Sequence, residues 1–226
     1  MRPRRAGKHN VWRVAVFLWI VMIEVIGLAP VPVIAQDLRN GPLVTTIVGG
    51  NELLIPRRYF LPNPPPGRQP VDILLTALLP GLHPMREDNM AEFMATRGFG
   101  RIIRIYARDS RRTTTLEFRL KVARKSGAPY ERRDERFGLA IYVPKHFNAN
   151  KDRVARQELF VGIENGVLLR FITCNVNESV PSPGCRHEFV YRNLLFEIGY
   201  GKTQLSNWRS IEDSVERLLD RFGRNA

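Results

Sequence analysis

The chain carries only two cysteines, Cys174 and Cys185, in 226 residues. With no CxxC spacing, a cysteine-based zinc centre has too few ligands, since such sites need three or four convergent groups. Histidine is also scarce, with four in the chain. After residue 35 there are His83, His146 and His187, none of them at i, i+4 or beside a second ligand, so no metal and no cofactor is expected. No Gly-x-Ser-x-Gly nucleophile signature occurs. Gly201-Lys202-Thr203 has the look of the end of a phosphate-binding loop, but the full pattern requires glycine at 196, where Phe196 stands. Acidic residues are in the minority, 22 against 35 basic ones, and only six of the basic residues are lysine. Arginine is the residue suited to bidentate contact with carboxylate or phosphate.

What is present begins with a targeting pattern. Arg2, Arg4, Arg5, Lys8 and Arg13 precede an apolar run from Val14 to Ala29, and Pro30 and Pro32 stand ahead of Val33-Ile34-Ala35. Basic flank, apolar core and small residues before a cut describe a secretory signal ending at Ala35. The alternative is an uncleaved single-pass anchor at the inner membrane, against which Glu24 sits mid-run. Either way the remainder is expected outside the cytoplasm, periplasmic or anchored facing the periplasm, by the distribution of positive charge. The expected division is residues 1–35 as signal or anchor and 36–226 as one exported domain. That domain keeps 30 basic against 21 acidic residues, a net +9. Export turns this charge away from nucleic acid and towards an acidic protein or an anionic envelope surface.

An even cysteine pair in an oxidising compartment reads as a disulfide. The segment between Cys174 and Cys185 is rich in Asn, Ser, Pro and Gly, and apolar runs flank it, which places the bridge at the neck of a hairpin loop.

Elsewhere the pattern is mostly of strands. Residues 43–49 and 52–56 enclose Gly49-Gly50-Asn51, a hairpin signal. Further strands are predicted at 71–79, 101–107, 139–143, 158–163, 167–174, 188–191 and 194–200, with tight turns at Asn165-Gly166 and Arg192-Asn193. Leu116, Phe118, Leu120 and Val122 alternate with Glu117, Arg119 and Lys121, which predicts a half-solvated strand over 115–122. Residues 125–137 read as a charged connection. At the end the period changes: Trp208, Ile211, Val215, Leu218, Leu219 and Phe222 recur at helical steps, with Ser206 as the expected cap and Gly223 as the stop. The sum is an α+β fold, a mostly antiparallel meander with a C-terminal amphipathic helix packed on it.

Between Arg97 and Arg136 there are thirteen Lys or Arg against five Asp or Glu. Arg108, Arg111 and Arg112 surround Asp109, and Arg119 and Lys121 share the polar side of the neighbouring element, so these five residues are the expected basic binding surface. Glu92, Asp109, Glu117 and Glu164 are the carboxylates from which a hydrolytic pair would have to come. No spacing among them specifies one, and no catalytic residue is assigned.

The C-terminal half resembles an uncharacterised family of exported proteobacterial proteins with a disulfide hairpin and a terminal helix. The residues that carry this are Ile172-Thr173-Cys174, Ser182-Pro183-Gly184-Cys185, Phe189, Leu205 and Trp208-Arg209-Ser210-Ile211. Gly49-Gly50 and Leu54 to Tyr59 fit the same pattern. The resemblance implies an envelope protein and transfers no functional residue. The expectation is therefore a non-enzymatic exported protein that binds a macromolecule, in the manner of an inhibitor or immunity protein. A lipid- or glycan-facing anchored protein and an envelope hydrolase are the alternatives.

Overall fold

The computed structural model describes residues 42–61, 71–95, 98–125, 130–145, 157–176 and 182–223. The segment 1–35 expected to be a signal or anchor, His146 and residues 177–181 between the cysteines lie outside these residues. Among the described residues ten strands and three helices follow in the order β1 (Leu43–Val48), β2 (Asn51–Pro56), β3 (Ile73–Leu78), α1 (Met90–Phe93), β4 (Ile102–Asp109), α2 (Leu116–Lys125), β5 (Tyr130–Arg136), β6 (Leu139–Pro144), β7 (Gln157–Glu164), β8 (Val167–Asn175), β9 (Gly184–Tyr191), β10 (Leu194–Gly201) and α3 (Trp208–Phe222).

β1 and β2 form a separate hairpin around Gly49 and Gly50, whose positive φ angles of 59° and 82° suit glycine. The other eight strands make one sheet in the order β3-β4-β10-β9-β8-β7-β6-β5, every pair antiparallel. Asn51 ties the hairpin to this sheet, its amide donating to the Arg192 carbonyl at 2.9 Å. The Asn165-Gly166 and Arg192-Asn193 turns both take positive φ, the geometry that two-residue hairpin loops demand.

α3 packs on one face. Its Val215, Leu218, Leu219 and Phe222 meet Leu53 and Ile55 of β2 and Ile105, Ala107 and Phe196 of the sheet. The ring of Phe222 meets Tyr59 edge-on at 5.2 Å, and Trp208 Nε1 donates to the Phe137 carbonyl at 3.0 Å. On the opposite face Leu116 of α2 joins Leu159, Val161, Phe171, Leu168 and Leu195 in a second apolar cluster. Strand alternation serves both layers: on β9, His187 and Phe189 face α3, while Arg186 and Glu188 face α2.

The α+β architecture and the terminal helix are as the sequence leads one to expect. Three local expectations are corrected. Residues 116–125 are helical, not a strand. The same residues that alternate also place Leu116, Leu120 and Ala123 at i, i+4 and i+7, and that stripe is the one packed against the sheet. Thr115 caps the helix, its hydroxyl accepting from the Phe118 amide at 3.3 Å, and Arg124 and Lys125 sit where the helix dipole favours cations. Second, residues 130–136 form the edge strand β5. Its run of charges hides a strand signal because edge strands discourage further pairing with exposed charge. Third, Ser206 is not the cap of α3. It lies in a 3-10 turn, Lys202–Asn207, and the helix opens after Asn207 without a side-chain cap bond.

Cys174 and Cys185 stand directly opposite each other on β8 and β9, with Cα atoms 4.1 Å apart, and are bridged.

Candidate functional site

α2 lies across the sheet on the side away from α3, and the expected basic residues gather around it in three groups. Arg108 and Arg119 form the first. Arg119 Nη1 donates to Glu188 Oε2 at 2.8 Å and lies 3.8 Å from Glu197 Oε2. Arg108 Nη2 reaches Glu197 at 3.5 Å, and Arg186 Nε lies 3.1 Å from the other oxygen of Glu188. Glu188 is 1% exposed. Burial pushes its carboxyl above the ordinary range, against the pull of the Arg119 and Arg186 guanidiniums. This ionic bed lies beneath α2 and fastens it to β9 and β10.

Arg111 and Arg112 form the second group, in the 3-10 turn Ser110–Arg112 ahead of the helix. Arg111 grips Asp109 in a fork, with Nε at 2.9 Å and Nη2 at 2.8 Å, while its backbone amide also donates to Asp109 at 3.0 Å. Those bonds from Arg111 hold the Asp109 pKa down at about 2. Because the folded value is depressed, the contribution of this fork is complete above the unfolded carboxylate pKa of about 3.9 and is lost as pH falls through about 2. Arg111→Ala is expected to move the Asp109 midpoint up towards the ordinary value, read by carboxyl NMR titration. An unmoved midpoint would contradict the fork.

Lys121 stands alone as the third group, exposed on the outer flank of α2. Beside it are residues that a strand reading gave no functional weight. Phe118 is 52% exposed and Val122 45% exposed. With Lys121 and Lys125 they fall at i, i+3, i+4 and i+7, one continuous outward stripe of a ten-residue helix. The signal was legible as spacing, but only once the helical period replaced the alternating one. Ile163 and Val167, on either side of the Asn165-Gly166 turn, are also more than half exposed. Between this turn and the flank of α2 runs a cleft of about 650 Å³.

The other candidates are occupied otherwise. Glu92, Asp109, Glu117 and Glu164 stand on four different elements. Glu92 pairs with Arg101, Asp109 with Arg111, and Glu164 with Arg170 at 2.6 Å, while Glu117 lines the cleft. Lys202 of the Gly-Lys-Thr run pairs with Glu158 and donates to the Asn175 carbonyl at 2.9 Å, closing the sheet end near the disulfide. His187 is fully buried, with Nε2 3.1 Å from Glu212 Oε2, and Arg170 Nε donates to both oxygens of Glu212 at 2.8 and 3.0 Å. Among the described residues no three His, Cys, Asp or Glu side chains gather as a metal site. No helix among them is long and apolar enough to cross a membrane.

An eight-stranded antiparallel sheet with α3 on one face and α2, edged by exposed apolar and basic residues, on the other defines the class among the described residues: an α+β protein. No protein-family model matches the sequence, and no curated protein matches it. Two solved structures are similar in fold. One is Smlt3025, an immunity protein of the Stenotrophomonas maltophilia type IV secretion system. It is 17% identical at TM-score 0.61, over 80% of this chain and 93% of that one. The other is the Neisseria meningitidis iron-regulated outer membrane lipoprotein FrpD, 15% identical at TM-score 0.52, over 83% of this chain and 94% of that one.

Proposed function

We propose that this is a non-enzymatic protein of the bacterial envelope that binds an acidic exported protein through the outer face of α2, in the manner of an immunity protein. The observation that carries this reading is the α2 stripe itself. A helix already seated on the sheet by Leu116, Leu120 and Ala123 has no structural need for Phe118 and Val122 on its outer side. Exposed apolar groups rimmed by charge are the composition of a protein-binding patch. Lys121, Lys125, Arg111 and Arg112 supply a field that attracts a partner of negative charge. The fold likeness to Smlt3025 supports the same reading, and the disulfide supports a place outside the cytoplasm.

Capture from an envelope extract tests it, using the protein as recovered from the producing cell. Phe118→Asp with Val122→Asp, and separately Lys121→Glu with Lys125→Glu, are expected to weaken capture of the partner by on the order of tenfold or more, as loss of an interface anchor does. Raising salt from about 0.15 M to about 1 M, which shortens the screening length from ~8 to ~3 Å, is expected to weaken it as well. Capture insensitive to both variants and to salt would overturn the reading. So would flotation with phosphatidylglycerol vesicles in place of a protein partner, which would make the stripe a membrane-facing one.

A further inference from the structure

The cleft beside α2 is a site of its own. Its floor is apolar: Leu120 from the helix, Leu168 from β8 and the ring of Tyr130, whose hydroxyl is turned away to donate to the Gln157 carbonyl at 3.1 Å. Ile163, 55% exposed, stands at the lip. Gly166, in the turn just after Ile163, adds no side chain to this lip, and nothing lies within 4 Å of the position a Cβ would take there. Three cations, Lys121, Arg124 and Lys125, line the helical wall against the single carboxylate of Glu117. Arg124 is steered over the Tyr142 ring at 5.0 Å. Neither Lys121 nor Lys125 makes an ion pair among the described residues, so their charge faces whatever enters.

An apolar floor under an uncompensated cationic wall selects a ligand with an apolar body and negative charge beside it. Lys121 and Lys125 line the cleft and also belong to the outward stripe of α2 with Phe118 and Val122, so the wall of the cleft and the exposed stripe share two residues. A volume of about 650 Å³ is that of a small-ligand pocket and is ample for one aromatic or branched side chain. We infer that this cleft is the anchor pocket for an acidic segment of the partner: one large apolar side chain lodged over Leu120 and Leu168, with flanking Asp or Glu on Lys121 and Lys125. The inference rests on the proposed binding role of α2 and specifies which feature of the partner is read.

Two measurements separate it from that broader reading. Short random peptides displayed on phage are selected against the whole protein. The winners are expected to combine one large apolar residue with neighbouring acids. Their binding is expected to fall on the order of tenfold in Ile163→Asp and in Lys121→Glu with Lys125→Glu, all at exposed positions. Thermal unfolding of each variant is compared with wild type, so that lost binding is scored only in a folded protein. In the envelope capture, Ile163→Asp is expected to reduce the partner recovered as Phe118→Asp does. Capture that fails with Phe118→Asp but survives Ile163→Asp overturns the anchor pocket and leaves the binding face standing. Capture indifferent to both overturns the binding face. Selected peptides without acidic enrichment, or displacement of the peptides by phosphatidylglycerol vesicles at lower concentration than by free peptide, also overturn the inference.

Discussion

Glu212→Ala is expected to cost about 3 kcal/mol of unfolding free energy, the lower end of the range for removing one partner of a buried ion pair. Glu212 is 4% exposed and projects from α3 onto the sheet. It accepts both bonds from Arg170 Nε and lies against His187. Alanine leaves the Arg170 guanidinium with Glu164 alone and leaves His187 Nε2 facing a void. The loss extends beyond one pair because the same network fixes the helix: the Arg170 guanidinium lies 5.4 Å over the Trp208 ring, and that ring also meets His187 edge-on at 5.9 Å. Glu212→Gln keeps an acceptor for Arg170 and is expected to lose less. Urea unfolding distinguishes these outcomes, and a Glu212→Ala midpoint equal to wild type would show that the network carries no stability. His187 adds a pH dependence. Burial holds its pKa below the ordinary 6.5, so the unfolded chain takes up the proton first. The stability tied to neutral His187 is complete above about 6.5 and declines as pH falls below that value towards the lower folded one.

Cys174→Ser with Cys185→Ser is expected to lower stability by roughly 3 kcal/mol in the chain-entropy account. The two residues are 11 apart in sequence, and closing a loop of that length removes freedom from the unfolded chain. They also join β8 to β9 beside the Lys202 pairing with Glu158, so the open end of the sheet depends on both. Addition of a reductant to the wild type is expected to reproduce the double variant. Equal midpoints for oxidised and reduced protein would mean that the bridge contributes nothing to the fold.

The large outlines of this molecule were legible because they rest on simple periods. The C-terminal meander reads as short apolar runs bounded by turn residues, its Asn-Gly turn is a strong signal, and α3 repeats its apolar residues over four turns. What was not legible is α2. Leu116, Phe118, Leu120 and Val122 satisfy period two as well as the helical spacing does, because the helix is apolar on two sides. A helix that buries one stripe and exposes another looks like a strand to any reading that assumes a single buried face. The apolar stripe of the proposed binding surface was hidden for the same reason. Arg111, Arg112 and Lys121 do border it, whereas Arg108 and Arg119 turn inward to Glu188 and Glu197. Their engagement with those carboxylates follows from strand register, Glu197 opposite Glu188 and next to Tyr106, which no linear spacing reveals. Likewise the buried His187–Glu212–Arg170 network joins residues far apart in sequence.

The same two-sidedness connects stability to the proposed role. Arg119 and the Leu116 stripe hold α2 rigid on the sheet, so that Phe118, Lys121, Val122 and Lys125 are presented in a fixed array and little ordering is left to binding. The most direct measurement is therefore one of contact. Phe118 is replaced by the photoreactive residue p-benzoylphenylalanine, and the intact protein is irradiated in the cells that produce it. A control carries the same group at the exposed Asp213 on α3, across the sheet from α2. A covalent adduct with an acidic exported protein is expected from position 118 and none from position 213. Equal adducts from both positions, or adducts with lipid alone from position 118, would contradict it.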